Sequence, residues 1–240
     1  MRPVQALFFD LDETLLDGSG RQEAIVRTCR SIASAQPGLD AHRLLEANGK
    51  VWQGYWPEVA DEWTLGVLDG ANVSLEVWRR TLRACGCNDD SMARLGRETY
   101  SQYRRETLRL FDDVRKLISL LQPRFSLALV TNGASDTQRE NLRVLDIEHR
   151  FGAVVISGEV GVAKPDARIF RFALHELGVE PENVWHVGDD LNTDVAGAKA
   201  ASLTAVWLNR GGDPWKEGAP KPDYEIRSLR DLPALLSAAR

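Results

Sequence analysis

Three features of the 240-residue chain predict an α/β fold, a parallel-sheet core interrupted by an inserted α-helical domain. Short apolar runs alternate with helical patterns from Asp113 to the C-terminal end, the rhythm that builds a parallel sheet. One further apolar run, Ala6–Phe9, stands apart near the start, and residues 17 to 112 show helical spacing without strand-like alternation.

Ala6-Leu7-Phe8-Phe9 has no helical period and is bounded by polar residues, as a strand buried on both faces is. Asp10 and Asp12 follow where the chain leaves the core, with the hydroxyl of Thr14 two residues further on. Continued strand geometry projects both carboxylates to one side. Carboxylates that close repel each other, so the stretch asks for a cation such as Mg²⁺.

Gly18-Ser19-Gly20 is a flexible exit into the insert, where Ala24, Ile25, Thr28 and Ile32 recur at helical spacing over Arg21–Ala35. Leu39–Trp52 repeats the pattern, Leu75–Ala84 follows Ser74 with Glu76 in its first turn, and Ser91–Leu110 closes the insert. A helical bundle is expected. Its aromatic residues Trp52, Tyr55, Trp56, Trp63 and Trp78 either pack that bundle or line a pocket facing the carboxylates.

The core resumes with a helix over Asp113–Leu121 and a second strand over Phe125–Val130. Helix Ser135–Leu145 leads to strand Ala153–Ile156, and helix Asp166–Leu177, closed by Gly178, leads to strand Val184–Val187. Helix Thr193–Ala200, strand Leu203–Leu208, a short strand Tyr224–Ile226 and helix Leu229–Ala239 complete the chain. Gly211–Pro222, rich in Gly and Pro, reads as a surface loop.

Composition narrows the function. A hydrophobic content of 43% and a charged content of 27% are those of a soluble globular protein. The net charge of −5 and scattered basic residues argue against nucleic acid as a partner. No apolar stretch approaches membrane-spanning length, and Met1-Arg2-Pro3 leads into the first strand without a signal-peptide pattern, so a cytoplasmic setting is expected. Cys29, Cys85 and Cys87 read as free thiols, and His42, His149, His175 and His186 form no ligand spacing.

Three more segments sit where strands end. Thr131-Asn132-Gly133 offers a hydroxyl and backbone N–H groups to an anion. Lys164 precedes Pro165, which suits a helix's first turn and fixes the lysine at that helix's entrance. Gly188-Asp189-Asp190-Leu191-Asn192-Thr193-Asp194 places acids after a strand, and Asp190, Asn192 or Thr193 serves as the next helix's N-cap.

Phe8-Phe9-Asp10-Leu11-Asp12-Glu13-Thr14 resembles the first motif of the haloacid dehalogenase-like superfamily of phosphatases. Thr131-Asn132-Gly133, the segment Gly161-Val162-Ala163-Lys164-Pro165, and Gly188-Asp189 with Asp194 resemble the other three, in order, with the insert between the first two. The resemblance implies a Rossmann-like core of residues 1–16 and 113–240, a helical cap domain of residues 17–112, and the first and fourth strands side by side. It implies Mg²⁺-dependent hydrolysis of a small phosphomonoester through an aspartyl-phosphate on Asp10, with Asp12 as acid and base. Thr131, Asn132, Gly133 and Lys164 are then the substrate-binding residues. Asp10, Asp12 through its backbone carbonyl, Asp189 and Asp194 form the metal site. True dehalogenases of the superfamily lack the carboxylate at the position of Asp12, so its presence favours a phosphatase.

Thr131-Asn132-Gly133 with Gln138-Arg139-Glu140, Lys164-Pro165 and Val206-Trp207-Leu208-Asn209 is similar to the N-acylneuraminate-9-phosphatase and pyrimidine 5′-nucleotidase branch. A sugar phosphate, a nucleoside monophosphate and a glycolate-type phosphate are all open as substrates, with a monomer or homodimer expected. A phosphomutase on the same core and a non-catalytic phosphometabolite-binding protein are the alternatives. A receiver-type domain fits poorly, because its acceptor aspartate lies mid-chain with no partner carboxylate two residues on.

Overall fold

The structure, a computed structural model, describes residues 3–238. Met1, Arg2, Ala239 and Arg240, including the last residue of the expected closing helix, lie outside the described residues. The chain opens with β1 (Ala6–Phe9) and the two-residue β2 (Leu16–Asp17), then runs through α1 (Gly20–Ala35), α2 (Ala41–Thr64), α3 (Gly70–Ala84) and α4 (Asp90–Thr107). It returns by β3 (Arg109–Leu110) to α5 (Val114–Leu121), β4 (Ser126–Thr131), α6 (Ser135–Leu145), β5 (Ala153–Ile156) and α7 (Ser157–Val160). Then come α8 (Ala167–Leu177), β6 (Val184–Gly188), α9 (Ala196–Ala200), β7 (Thr204–Leu208), β8 (Tyr224–Ile226) and α10 (Leu232–Ala238).

Six strands form one parallel sheet in the order β5-β4-β1-β6-β7-β8. The two-residue period of β1 explains its composition. Leu7 and Phe9 enter a core with Ile118, Leu142 and Leu232, whereas Ala6 and Phe8 enter a second core with Ile169 and Phe170 on the opposite face. Both faces are covered, so every position must be apolar and the run shows no alternation. Burial of each large side chain contributes roughly 1.5–3 kcal/mol.

Strand order reverses at β1, with β4 on one side and β6 on the other. That switch opens a crevice beyond the strands' carboxyl ends, where ligands of such sheets bind. Asp10 follows β1 there, Thr131 ends β4 and Gly188 ends β6.

The four helices between β2 and β3 have a core of their own, built on Ile32, Leu44, Trp78 and Leu82. A second cluster of Tyr55, Val59, Val73 and Val77 carries Trp52, Trp56 and Trp63 on its flank. Several details differ from expectation. β2 and β3 pair antiparallel, Leu16 opposite Leu110 and Asp17 opposite Arg109, at the two ends of the helical stretch. Strands of two residues have no alternation to read. α2 continues past Trp52, through Pro57, to Thr64, and α3 begins at Gly70, where Asp69 rather than Ser74 caps it by accepting from the Asn72 N–H (2.6 Å).

Asp166 caps α8, so Pro165 lies before the helix rather than in its first turn. Asp190 is the N-cap of the next segment, accepting from the N–H groups of Asn192 (2.7 Å) and Thr193 (2.8 Å). That segment opens as a wide turn, with the Val195 N–H donating to the Asp190 carbonyl, before narrowing into α9. Among the described residues no helix is long and apolar enough to cross a membrane.

Candidate active site

The N–H of Asp10 donates to the Val187 carbonyl (3.0 Å), which extends the β1–β6 ladder one residue and seats Asp10 at the crevice. Lys164 Nζ donates to Asp10 Oδ1 (2.5 Å) and to Asp194 Oδ1 (2.7 Å), all three side chains being buried. The lysine is aimed by a two-point clamp. Asn132 Oδ1 accepts from the Lys164 N–H (2.8 Å), and Asn132 Nδ2 donates to the Lys164 carbonyl (3.0 Å).

That clamp engages the Asn132 side chain, whereas the anion contact expected of this turn belongs to its backbone N–H groups. Gly133 departs from that expectation, because its N–H donates to Ser157 Oγ (2.8 Å). Ser157 Oγ in turn donates to the Thr64 carbonyl at the end of α2 (2.5 Å). Glycine is required at 133, because φ is +145° and a Cβ would lie 2.7 Å from the Trp63 ring.

Asp194 is held on every side. Besides Lys164, it accepts from His186 Nε2 (2.8 Å) and from the Asp190 N–H (3.2 Å). A Cβ on Gly188 would lie 2.2 Å from the Asp194 carboxyl carbon, which accounts for the glycine at the end of β6. Burial alone would raise Asp194, but Lys164 and His186 hold it well below the usual carboxylate range. Burial likewise opposes the charge on Lys164, yet Asp10 and Asp194 keep its proton affinity above that of a free lysine. His186 is pushed down by burial, so the neutral ring donates through Nε2.

Carboxylate oxygens of Asp10, Asp189 and Asp194 all lie within 4.8 Å of one another. Thr14 Oγ1 donates to Asp189 Oδ1 (3.2 Å), and Trp207 Nε1 donates to the Asp189 carbonyl (2.8 Å). Burial, then the neighbouring Asp194, push Asp189 up to about 7. Asp10 is held well above its ordinary value by burial, opposed by Lys164, with Asp194, Asp189 and Asp12 adding to the rise. Three hard oxygen donors facing one ammonium leave an excess of negative charge, and this donor set fits Mg²⁺. The Asp12 carboxylate is not part of it, so a metal role for Asp12 is left to its backbone carbonyl.

Asp12 instead turns toward α6. Gln138 Nε2 donates to Asp12 Oδ2 (2.6 Å), and it lies 2.9 Å from both Thr131 Oγ1 and the Asn132 carbonyl. Asn141 Nδ2 donates to Gln138 Oε1 (2.8 Å), which fixes which end of the amide faces Asp12. Because Thr131 Oγ1 accepts from Gln138, its own proton stays available for donation to an anion.

Gln138, Thr14 and His186 are the residues the sequence reading left out of the site. Thr14 was visible as a hydroxyl two residues beyond Asp12. Gln138 was visible only within Gln138-Arg139-Glu140, and no spacing marks His186.

A cavity of about 710 Å³ lies between the four helices and the first turns of α6, with Asp12, Asn132 and Gln138 on its core side. Trp52, Trp56 and Trp63 form part of the opposite wall, Trp52 stacked on Trp56 (4.9 Å between centroids) and Trp63 edge-on to Trp56 (5.3 Å). Tyr55 and Trp78 pack the helical cores. Trp78 also borders the cavity, and Trp52, Trp56 and Trp63 also pack against the second cluster, so packing and pocket lining are shared by the same rings.

The haloacid dehalogenase-like hydrolase family matches residues 4–202, most of the chain and all four motifs. The chain belongs to the haloacid dehalogenase-like hydrolases. This hydrolase is 31% identical to N-acylneuraminate-9-phosphatase of Mus musculus over 98% of its own length and 94% of that protein. It is 38% identical to phosphoserine phosphatase of Thermus thermophilus over 65% of its own length and 62% of that protein. Among solved structures it is similar to the HAD-hydrolase YfnB of Bacillus subtilis bound to magnesium, with a TM-score of 0.72 and 28% identity, covering 98% of this chain and 99% of that one. As a haloacid dehalogenase-like hydrolase, the chain is an enzyme of hydrolysis.

Proposed function

We propose that this hydrolase is a Mg²⁺-dependent phosphatase that cleaves a small phosphomonoester through an aspartyl-phosphate. The observation that carries the reading is the division of labour between two carboxylates two residues apart. Asp10 lies against Lys164, buried at the crevice, and Asp12 lies against Gln138 at the edge of the cavity. Phosphatase relatives and a related structure bound to magnesium support it.

An Asp10 carboxylate oxygen attacks phosphorus and the phosphorus–oxygen ester bond breaks. Asp12 gives its proton to the departing alkoxide, then takes one from the water that attacks the aspartyl-phosphate, and phosphate leaves with Asp10 restored. Thr131 Oγ1 and Lys164 Nζ donate to the phosphoryl oxygens as charge shifts onto them. Asp10, Asp189, the carbonyl of Asp12 and Asp194 would hold Mg²⁺, which when bound neutralises charge on the phosphoryl group and the nucleophile.

In this reading residues 17–112 form a cap over a core of residues 1–16 and 113–240, excluding water from the crevice. The contacts across the junction support it: the Asp136 carboxylate on α6 accepts from the N–H groups of Gly70 (2.9 Å) and Ala71 (3.1 Å) at the start of α3. The free thiols Cys29, Cys85 and Cys87 suit a cytoplasmic setting.

The test is phosphate release from a panel of small phosphomonoesters with Mg²⁺ or with EDTA, for wild type and Asp10→Asn. Turnover that needs Mg²⁺ and vanishes in the variant supports the reading. Folded, Mg²⁺-bound protein that hydrolyses none of the esters overturns it.

A further inference from the structure

Arg104 on α4 differs from several other arginines of residues 17–112. Arg27, Arg79, Arg80, Arg105 and Arg109 are each ion-paired with an aspartate or glutamate. Arg104 Nη1 is shut away from solvent and makes no hydrogen bond to any described residue. Its guanidinium borders the 710 Å³ cavity that Asp12 and Gln138 also line. Arg21 borders the same cavity and lies close enough for its charge to act on Arg104.

A partly buried guanidinium with no hydrogen-bonded counter-ion is costly, more so beside a second cation. Burial lowers its proton affinity, yet an arginine keeps its charge at any working pH. Among the described residues no carboxylate pairs directly with it, so the cavity wall offers this guanidinium to an anion from outside the chain. Asp12 and Glu13 also act on Arg104, and their charges disfavour a second doubly charged phosphate more than a singly charged carboxylate.

We infer that Arg104 binds a carboxylate carried by the substrate, so that the preferred esters are phosphorylated carboxylic acids rather than phosphorylated polyols or nucleosides. The inference rests on the phosphatase reading, which places the phosphoryl group at Asp10. One substrate then spans the cavity, its phosphate at the Asp10–Lys164 end, its carboxylate on the guanidinium fork, its carbon skeleton along the tryptophan wall. Arg21 reinforces the site as a second positive charge.

The experiment compares esters matched except for the acid group, with Mg²⁺ present: 6-phosphogluconate against glucitol 6-phosphate, and 3-phosphoglycerate against glycerol 3-phosphate. Wild type, Arg104→Lys and Arg104→Met are compared after circular dichroism confirms that each is folded. For wild type, kcat/KM is expected to favour the carboxylate member of at least one pair by about tenfold to a hundredfold, the value of one charge-assisted hydrogen bond. Arg104→Met collapses that ratio mainly through KM, and Arg104→Lys keeps part of it.

A wild-type ratio near one overturns the inference while the phosphatase reading stands. A high ratio that survives in Arg104→Met also overturns it, because the carboxylate then binds elsewhere. A sugar bisphosphate preferred over every carboxylate ester overturns it by replacing the ligand class. Failure to cleave any ester, by contrast, overturns the phosphatase reading itself.

Discussion

Gln138 donates to the Asp12 carboxylate at 2.6 Å while its own carbonyl is pinned by Asn141 at 2.8 Å. One oxygen of Asp12 is thereby fixed, and its partner is left for the proton transfers proposed above. Replacing Gln138 by Leu removes that anchor without touching Asp10, Lys164 or the acidic cluster. kcat is expected to fall about tenfold to a hundredfold with KM changed little, part of what a positioned general acid contributes. Steady-state kinetics on the best ester checks this, and an unchanged kcat contradicts it.

Lys164 is the only described cation hydrogen-bonded to both Asp10 and Asp194. Lys164→Met leaves these carboxylates buried without it. Removing one partner of a buried ion pair costs about 3–5 kcal/mol, so urea unfolding of the metal-free variant should show a loss of that order. Phosphatase turnover is expected to disappear, because the transferring phosphoryl group loses its ammonium.

Metal binding should depend on pH in a definite direction. Asp189 titrates near 7 in the metal-free fold against an ordinary value of 3.8, so between these values the folded state holds a proton that the unfolded chain has released. Its contribution to stability is therefore lost as pH rises from the unfolded to the folded value. Mg²⁺ must displace that proton below pH 7, and its apparent affinity falls about tenfold per pH unit there. Melting scans should show a larger Mg²⁺-induced rise at pH 8 than at pH 5.5; equal rises would contradict the titration.

The junction between the helices and the sheet is closely fitted. Gly66 has φ +74°, and a Cβ there would lie 2.2 Å from the Gly158 carbonyl oxygen. Gly66→Val must push α2 and α7 apart at this point. KM is expected to rise about tenfold, a coupling of the size that one well-placed interaction supplies, with Mg²⁺ affinity retained. A raised kcat with KM unchanged would contradict the proposed role of the closed junction.

The sheet was legible because its strands are covered on both faces, so Phe125–Val130 and Val184–Val187 could be little else. Asp10, Thr131 and Asp189 stand out in the sequence because each lies at or just beyond a strand's end within a short motif, and Lys164 because a proline follows it in such a motif. Gly133 departs from expectation for a tertiary reason: its N–H is engaged by Ser157, 24 residues away in sequence. Gln138 shows in the sequence only within Gln138-Arg139-Glu140, and no local pattern reports that the long side chains of Gln138 and Arg104 reach the cavity. The β2–β3 ribbon was missed because two residues carry no period.

The covalent step on Asp10 is tested most directly by mixing wild type with Mg²⁺ and the best ester, quenching in acid during the first turnovers, and measuring the intact protein's mass and the site of any added group. The proposed mechanism requires one phosphoryl group on Asp10, a larger trapped fraction in Gln138→Leu if that variant slows breakdown more than formation, and none in Asp10→Asn. Burst release of alcohol with no phosphorylated protein at any quench time, or a phosphoryl group on another residue, would contradict it.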